Sequence, residues 1–178
     1  YETILERAPQ DGPALEAVAE LHRSAERWES LCNILMVMAD TTETEDERLA
    51  KYCEAAQLAV DKCENVDLAS KCYQSALRVN KAHMPAIDGL LGILMDTEQY
   101  PLAAQVYELK SHAQQTDEDK IATLLKMAEL KRDHIADESA ALRIYESILE
   151  IDRNQCDALH HIVSHHMRLA EWVQAMPL

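Results

Sequence analysis

Glycine and proline are scarce in this chain. Its 178 residues include only 3 Gly and 5 Pro, the two residues that interrupt regular secondary structure. Residues that favour helices, chiefly Ala, Leu, Glu, Lys, Gln and Met, dominate instead. No stretch shows the alternation of apolar and polar residues that is typical of strands. The composition therefore predicts an all-α fold.

Long apolar runs are absent as well. Charged residues interrupt the hydrophobic positions at helical spacing, and no run reaches about 18 apolar residues, the length that suggests a membrane-spanning helix. We therefore expect a soluble protein without membrane insertion.

The motifs of common enzyme classes are also missing. The sequence contains no Gly-rich phosphate loop, no G-x-S-x-G motif and no Cys/His arrangement of known spacing. Carboxylates are plentiful, but acid/base catalysis needs a desolvated pair in a cleft. We therefore expect no enzymatic activity, no catalytic residues and no cofactor.

Basic residues are outnumbered by acidic ones. Lys and Arg total 17 against 32 Asp and Glu, which gives a formal net charge of −15 and a pI near 4.8. Nucleic-acid affinity depends on Lys and Arg that neutralise phosphates, so the balance argues against a nucleic-acid partner. An acidic surface attracts basic protein segments, but it also serves solubility without any partner. The composition leaves both explanations open.

What the sequence does contain is a repeat. Two sets of large aromatic residues recur at intervals of 72 positions, and Ala14, Ala86 and Ala158 keep the same interval. The aromatic sets are Tyr1, Tyr73 and Tyr145, and Trp28, Tyr100 and Trp172. Each block divides into two subunits of roughly 36 residues, the length of a two-helix repeat. The interval therefore predicts an array of stacked helix pairs.

The residues of these subunits suggest a family. The segment from Ala69 to Asn80 reads A-x3-Y-x2-A-L-x-V-N, and the segment from Ala141 to Asp152 follows the same plan. This pattern resembles the second helix of a tetratricopeptide repeat, and residues 99–107 resemble the turn and small residue of that repeat. The resemblance covers nearly the whole chain. It implies an all-α, right-handed superhelical solenoid of antiparallel helix pairs, with a concave surface that binds peptides or proteins.

The chain departs from the family pattern at several positions. Leu15, Ile87 and Leu159 stand where the first helix usually has Trp, and Lys81 or Arg153 replaces the closing Pro. The first helices that begin near residues 46 and 118 also look about one residue longer than the pattern. The repeats are therefore divergent.

Helix boundaries follow from caps and apolar spacing. We predict helices near residues 13–24, 27–39, 45–62, 66–80, 84–96, 99–114, 117–134, 137–152 and 155–169, with partial helices at both ends. Capping boxes begin at Thr42 and Thr116, another start lies at Asn154, and Pro13 and Pro85 occupy first turns. The connections are short, so consecutive helices should pack antiparallel.

The apolar stripe of each helix predicts the core. In the first helices it comprises Leu15, Val18, Ala19, Leu21, Ile87, Leu90, Leu91 and Leu94. In the second helices it comprises Leu68, Ala69, Cys72, Tyr73, Ala76, Leu77, Ala140, Ala141, Ile144, Tyr145, Ile148 and Leu149.

The cysteines fall on apolar positions of the repeat. In the 72-residue register Cys53, Cys63, Cys72 and Cys32 overlie Leu125, Ile135, Ile144 and Ala104. Their total of five is odd, and no C-x2-C pair occurs. We interpret them as reduced core residues of a protein in a reducing compartment, the cytoplasm.

Histidines form the densest candidate for chemistry. They are His160, His161, His165 and His166. Asp157, His161 and His165 follow i, i+4, i+8 spacing, which can chelate a transition metal. However, His165 overlies Leu21 and Ile93 and should point at the core, and one helix supplies two ligands at best. A metal site is therefore the weaker interpretation, and helical histidines without a ligand role are favoured.

The family resemblance places the partner-binding surface on the first helices. The candidate residues are Glu16, Ala17, Glu20, Glu54, Gln57, Asp88, Gly89, Gly92, Lys126, Glu129, His160, His161 and Ser164. Gly89 and Gly92 either let a ligand approach the backbone or permit close helix packing. The Asn and Lys residues with which some family members hold a carboxylate tail are not visible. We therefore expect a protein or peptide partner with a basic or amphipathic surface.

Three functions stay open at this point. A non-enzymatic protein-protein interaction scaffold is favoured, an architectural spacer or assembly element within a large complex is the alternative, and a metal-responsive module through residues 160–166 is the third. The sequence begins and ends inside repeats, so we expect residues 1–178 to be a single array and part of a longer one.

Overall fold

Residues 11–168 are described by the structure, a computed structural model. All regular secondary structure in that range is α-helical. In chain order the helices are α1 (Gly12–Ser24), α2 (Trp28–Thr41), α3 (Glu45–Asp61), α4 (Val66–Val79), α5 (Met84–Asp96), α6 (Tyr100–Ala113), α7 (Asp117–Asp133), α8 (Glu138–Ile151) and α9 (Cys156–Arg168). The predicted helices agree with these bounds within two residues at each end, so the all-α prediction is confirmed. Tyr1, Trp172 and the predicted partial helices lie outside the described residues.

The chain divides into two compact units. They comprise residues 1–93 and residues 94–178, and the boundary falls within α5. In the first unit α1 packs against α2, α2 against α3, and α3 against α4. In the second unit α6 to α9 contact one another in the same sequential way. Because the connecting turns are short, neighbouring helices run antiparallel. The predicted all-α arrangement of stacked helix pairs is therefore confirmed within each unit.

Two lengths of first helix alternate along the chain. α1, α5 and α9 have 13 residues each, whereas α3 and α7 have 17. The second helices α2, α4, α6 and α8 have 14 residues each. α3 and α7 therefore exceed the other first helices by about one helical turn. This alternation explains why the strongest repeat spans two helix pairs. The predicted excess of about one residue over the family pattern stays a prediction.

The turns between helices also keep the 72-residue register. Left-handed φ angles occur at Glu26 and Glu98, with values of 53° and 56°, and at Glu64 and Ala136, with values of 50° and 58°. The next residues, Arg27 and Gln99, each donate their backbone N–H to the carbonyl oxygen five residues earlier, at 2.9 and 2.8 Å. This is the hydrogen bond of a Schellman motif. Corresponding turns in the two blocks therefore share one backbone conformation.

The aromatic residue at the start of a second helix is covered in the same way in both blocks. The Nζ atom of Lys62 lies 5.9 Å from the centroid of the Trp28 ring. The His134 ring lies 4.2 Å, centroid to centroid, from the Tyr100 ring. Lys62 and His134 are themselves 72 positions apart. A basic side chain thus packs over each of these aromatic rings.

One of the two predicted capping boxes is present. Thr116 Oγ1 accepts a hydrogen bond from the Asp119 N–H at 3.1 Å, as predicted. The prediction at Thr42 is wrong, because Thr42 Oγ1 donates to the Met38 carbonyl at 2.7 Å and so closes the end of α2. Thr44 precedes α3 instead and makes no side-chain cap.

The start of α9 differs slightly from the prediction. Gln155, not Asn154, caps it, since Gln155 Oε1 accepts from the N–H groups of Asp157 and Ala158 at 2.7 and 3.1 Å. The longer amide side chain reaches the N–H groups of the first turn. Pro13 and Pro85 are second residues of their helices, so both first-turn predictions are confirmed.

The core matches the predicted stripes with one exception. The fully buried members are Leu15, Val18, Ala19, Ala69, Cys72, Tyr73, Ala76, Ile87, Leu90, Leu91, Leu94, Ala141, Tyr145 and Ile148. Leu68, Leu77, Ala140, Ile144 and Leu149 are half-buried. Leu21 is a predicted core residue but is 56% exposed, because it lies in the last turn of α1, outside the area that α2 covers. Its register counterpart Ile93 is buried.

Gly89 makes room for the ring of Tyr73. A Cβ atom built at Gly89 would lie 2.2 Å from Tyr73 Cζ, whereas a Cβ at Gly92 would meet nothing within 4 Å. Of the two interpretations left open for these glycines, close packing therefore applies to Gly89. Gly92 faces open space on an exposed part of α5.

We predict opposite effects for alanine at these two glycines. Gly89→Ala should lower the free energy of unfolding by about 1–3 kcal/mol, because the new methyl group displaces a buried ring. Gly92→Ala, the matched control on the same helix, should raise it by about 0.5–1 kcal/mol through helix propensity. Urea denaturation followed by circular dichroism measures both. Equal stabilities for the two variants would show that Tyr73 does not occupy this space.

Candidate functional site

Three of the predicted acidic residues lie on α1 and α3 of the first unit. Glu16, Glu20 and Glu54 are all exposed. The guanidinium of Arg23 joins two of them: Nη1 lies 3.1 Å from Glu20 Oε2, and Nη2 lies 2.7 Å from Glu54 Oε1. The structure therefore brings Glu20 and Glu54 together from successive first helices. We call Glu16, Glu20 and Glu54 the acidic cluster.

The other predicted site residues of the first unit lie elsewhere on α1, α3 and α5. Gln57 is exposed and donates to Asp61 Oδ2 at 3.3 Å on its own helix. Ala17 is half-buried, and Asp88 is exposed on α5. The Tyr73 ring packs directly against Gly89, so a ligand does not reach the backbone there.

In the second unit, two predicted residues border a cavity. Lys126 and Glu129 lie on α7 and line a space of about 280 Å³. The other lining residues are Met95, Tyr107, Leu130, Asp133 and His134. The mixture of apolar and charged walls suits an amphipathic side chain.

His161 occupies the place on α9 that Gly89 has on α5. The two residues are 72 positions apart, as are Tyr73 and Tyr145. Here the His161 ring stacks on the Tyr145 ring, with centroids 4.7 Å apart and planes inclined by 17°. Arg132 Nη1 donates to Tyr145 Oη at 3.1 Å and to His161 Nδ1 at 2.8 Å. An imidazole ring thus packs on the tyrosine in the second block, where in the first block a glycine admits the tyrosine ring.

Further predicted site residues surround this contact. His160 is exposed, and its ring lies 5.7 Å from that of His161 in an edge arrangement. His165, which was expected to point at the core, is half-buried, and its Nδ1 lies 3.1 Å from Glu138 Oε1. Arg168 contacts the same carboxylate. Ser164 and His161 line a small cavity of about 90 Å³ between α8 and α9.

The structure does not bring the metal candidates together. His161 contacts Tyr145 and Arg132, His165 contacts Glu138, and Asp157 lies exposed in the first turn of α9. Within residues 11–168, no three His, Cys, Asp or Glu side chains are grouped so that they could hold a metal ion. The i, i+4, i+8 spacing alone is therefore not matched by a convergent ligand set.

The environment of His161 keeps its imidazole neutral. Burial lowers the pKa of His161, and the charges of Arg132 and His160 lower it further. The hydrogen bond from Arg132 requires the same state, because arginine only donates and a protonated imidazole has no acceptor. Protonation would therefore break the contact among Arg132, Tyr145 and His161.

We predict that His161 makes folding sensitive to acid. Its contribution should be complete above the unfolded histidine pKa of about 6.5 and should be lost as pH falls through the lowered folded pKa, because the unfolded state then binds more protons. Urea unfolding across this interval should show a shallower loss of stability for His161→Gln than for wild type. The exposed His112→Gln variant should keep the wild-type slope. Identical slopes for all three proteins would contradict the prediction.

The five cysteines are unpaired. Cys32 and Cys72 are buried, Cys53 and Cys63 are half-buried, and Cys156 is exposed. Burial and the neighbouring Cys63 raise the pKa of Cys32 to about 12, and burial raises the pKa of Cys72 to about 11. Both thiols therefore stay protonated, as suits core residues.

We predict that a thiol reagent distinguishes these cysteines. At about pH 8, iodoacetamide should modify Cys156 at the rate of a free thiol and Cys32 and Cys72 about 100-fold more slowly or less, because the thiolate is the nucleophile. Mass spectrometry of quenched time points measures each rate. Rapid modification of Cys72 in the native protein would show that its assignment to the core is wrong.

The sequence analysis did not identify two arginines that hold candidate site residues together. Arg23 joins Glu20 and Glu54 of the acidic cluster, and Arg132 contacts Tyr145 and His161. In the 72-residue register Arg23 overlies Met95 and Arg132 overlies Val60. A cation over an apolar residue marks a place where the two blocks differ in surface chemistry. That signal is present in the sequence and points to both residues.

Comparisons with known proteins give a distant structural likeness. No family model matches the sequence, and no curated protein matches it. The solved structures that match include the following two. One is described as "MamA RS-1 ArsTM double mutant", with 13% identity, a TM-score of 0.49, and coverage of 93% of this chain and 89% of that one. The other is described as a mutant of MamA in which a lysine replaces an aspartate, with 12% identity, a TM-score of 0.47, and coverage of 93% and 92%. These identities are too low to carry a function over.

No helix within residues 11–168 combines the length and the apolar character that crossing a membrane requires.

Proposed function

We propose that this chain is a non-enzymatic scaffold that binds a protein or peptide partner through the exposed acidic residues of its first helices. The acidic cluster supports the proposal: it presents three exposed carboxylates from α1 and α3, two of which share the guanidinium of Arg23. The partner surface that complements it is basic. Such complementarity raises the rate of encounter and disfavours acidic competitors.

The acidic cluster is not needed for folding. Exposed ion pairs such as Arg23 with Glu20 and Glu54 contribute about 0–1 kcal/mol to stability. Side chains that contribute so little to the fold are free to vary with the partner. The chain's net charge of −15 adds a long-range attraction for basic segments, which salt screens.

Charge reversal in the acidic cluster tests this proposal. A partner is first recovered by crosslinking, and its association rate is then measured by surface plasmon resonance at low and high salt. Glu16→Lys/Glu20→Lys should reduce that rate on the order of 10-fold at low salt, and the loss should shrink as salt is added.

The matched control is Glu146→Lys/Glu150→Lys on α8. Both residues are exposed and have the same i, i+4 spacing, so the change in net charge is identical. If the two double variants slow association equally, or if the partner is acidic, binding at the acidic cluster is excluded. An architectural spacer would then be the better account.

We also propose a reducing compartment, such as the cytoplasm. The five unpaired cysteines support it.

A further inference from the structure

One cavity of the first unit lies away from the acidic cluster. It has a volume of about 530 Å³ and is bordered by the end of α2, the start of α3 and the end of α4. Its walls are almost entirely polar. They are formed by Asp40, Glu43, Glu45, Arg48, Tyr52, Ser75, Arg78 and Val79.

The repeat register shows that packing does not require this polarity. Tyr52 overlies Leu124, and both are buried, at 4% and 7% exposure. An apolar side chain therefore suffices at this depth in the second block. The hydroxyl of Tyr52 is an addition, and it needs an acceptor, which Asp40 Oδ1 provides. Burial and Asp40 raise the pKa of Tyr52 to about 12, so the hydroxyl remains a donor.

Two other wall residues depart from the register in the same region. Asp40 overlies His112, and Arg78 overlies Glu150. The first block thus has a carboxylate, a phenol and a guanidinium where the second block has an imidazole, an apolar side chain and a carboxylate. These exceptions fall around one cavity, although they come from three different helices.

Some charged groups of this cavity have unused hydrogen-bonding atoms, although the guanidinium of Arg48 interacts with the Tyr52 hydroxyl. The Nε atom of Arg48 is buried and has no hydrogen-bond acceptor among the described residues. Glu43 and Arg78 make no hydrogen bond or ion pair with any residue in the described range. Asp40 and Glu45, in contrast, are engaged, since Glu45 Oε1 accepts from Asn80 Nδ2 at 2.8 Å. A ligand with a hydrogen-bond acceptor could bind the buried N–H of Arg48 that has no partner.

We propose that this cavity binds a zwitterionic group, with its carboxylate at Arg48 and Arg78 and its cation at Glu43. A lone anion would meet three wall carboxylates against two guanidinium groups. A lone cation would leave Arg48 and Arg78 unsatisfied. A group with both charges complements both signs of charge in the wall. Either a free amino acid or neighbouring acidic and basic side chains of a polypeptide can supply this chemistry.

Three probes of equal chain length test the charge requirement. They are 5-aminopentanoate, which carries both charges, pentanoate, which carries only the carboxylate, and pentylamine, which carries only the cation. NMR of the arginine Nε–H groups reports on Arg48 directly. 5-Aminopentanoate should shift the Arg48 signal saturably, and each single-charge probe should bind at least about 10-fold more weakly. Equal binding of all three probes, or an unmoved Arg48 signal, would overturn the proposal.

A capped lysyl-glutamate dipeptide distinguishes the two sources of the ligand. It offers the same pair of charges on side chains, without free termini. Tighter binding of this dipeptide than of 5-aminopentanoate assigns the site to a polypeptide partner. Tighter binding of 5-aminopentanoate assigns it to a small molecule.

The second block supplies variants that preserve the fold. Arg48→Lys/Tyr52→Leu introduces the residues found at Lys120 and Leu124, so the packing of α3 should survive, and binding of 5-aminopentanoate should fall at least about 10-fold. The reciprocal control, Lys120→Arg/Leu124→Tyr, should bind like wild type. If the first variant does not fold, the exposed Arg78→Glu takes its place. A folded variant of either kind that binds like wild type would exclude the site.

Discussion

The contact between each second-helix tyrosine and the first helix that follows is the constraint on which the repeats depend. Tyr73 and Tyr145 are large and buried, so the next helix must provide matching space. The first block provides it with Gly89 and the second with the flat ring of His161. Because interiors are close-packed, the residue opposite the tyrosine must match the shape of its ring. The 72-residue interval of the tyrosines is thus a packing requirement as well as a sequence pattern.

Much of the fold could be predicted from the sequence because its signals are periodic. Apolar spacing located the helices, and the register located the core. The turns escaped prediction, since Glu26 and Glu64 adopt left-handed angles without the glycine that usually marks them. The prediction for Thr42 failed because a threonine between two helices can serve either one, and here it bonds back to the helix before it. Leu21 shows that a stripe predicts burial only where a neighbouring helix covers it.

The exposure of most candidate site residues was also predictable, but their partners were not. Register fixes which face a residue occupies, whereas the reach of a long side chain decides what it contacts. Arg23 contacts a carboxylate, and Arg132 contacts an imidazole ring, on a helix about 30 residues away in sequence. The spacing of residues within one helix does not predict such contacts. His165 lies on α9 as predicted, yet it pairs with Glu138 of α8. The single array predicted for residues 1–178 remains a prediction.

Departures from the repeat register mark positions where packing alone does not determine the residue. Each helix pair depends mainly on its immediate neighbours, so a polar residue at one position has only a local cost. Tyr52 occupies a buried position where Leu124 shows that an apolar residue is sufficient, and its hydroxyl then commits Asp40 as an acceptor. The acidic cluster differs from this arrangement because its charges are exposed and screened by salt. The two kinds of recognition that we propose, one through long-range charge and one through a shaped polar cavity, can therefore coexist on one chain of helix pairs.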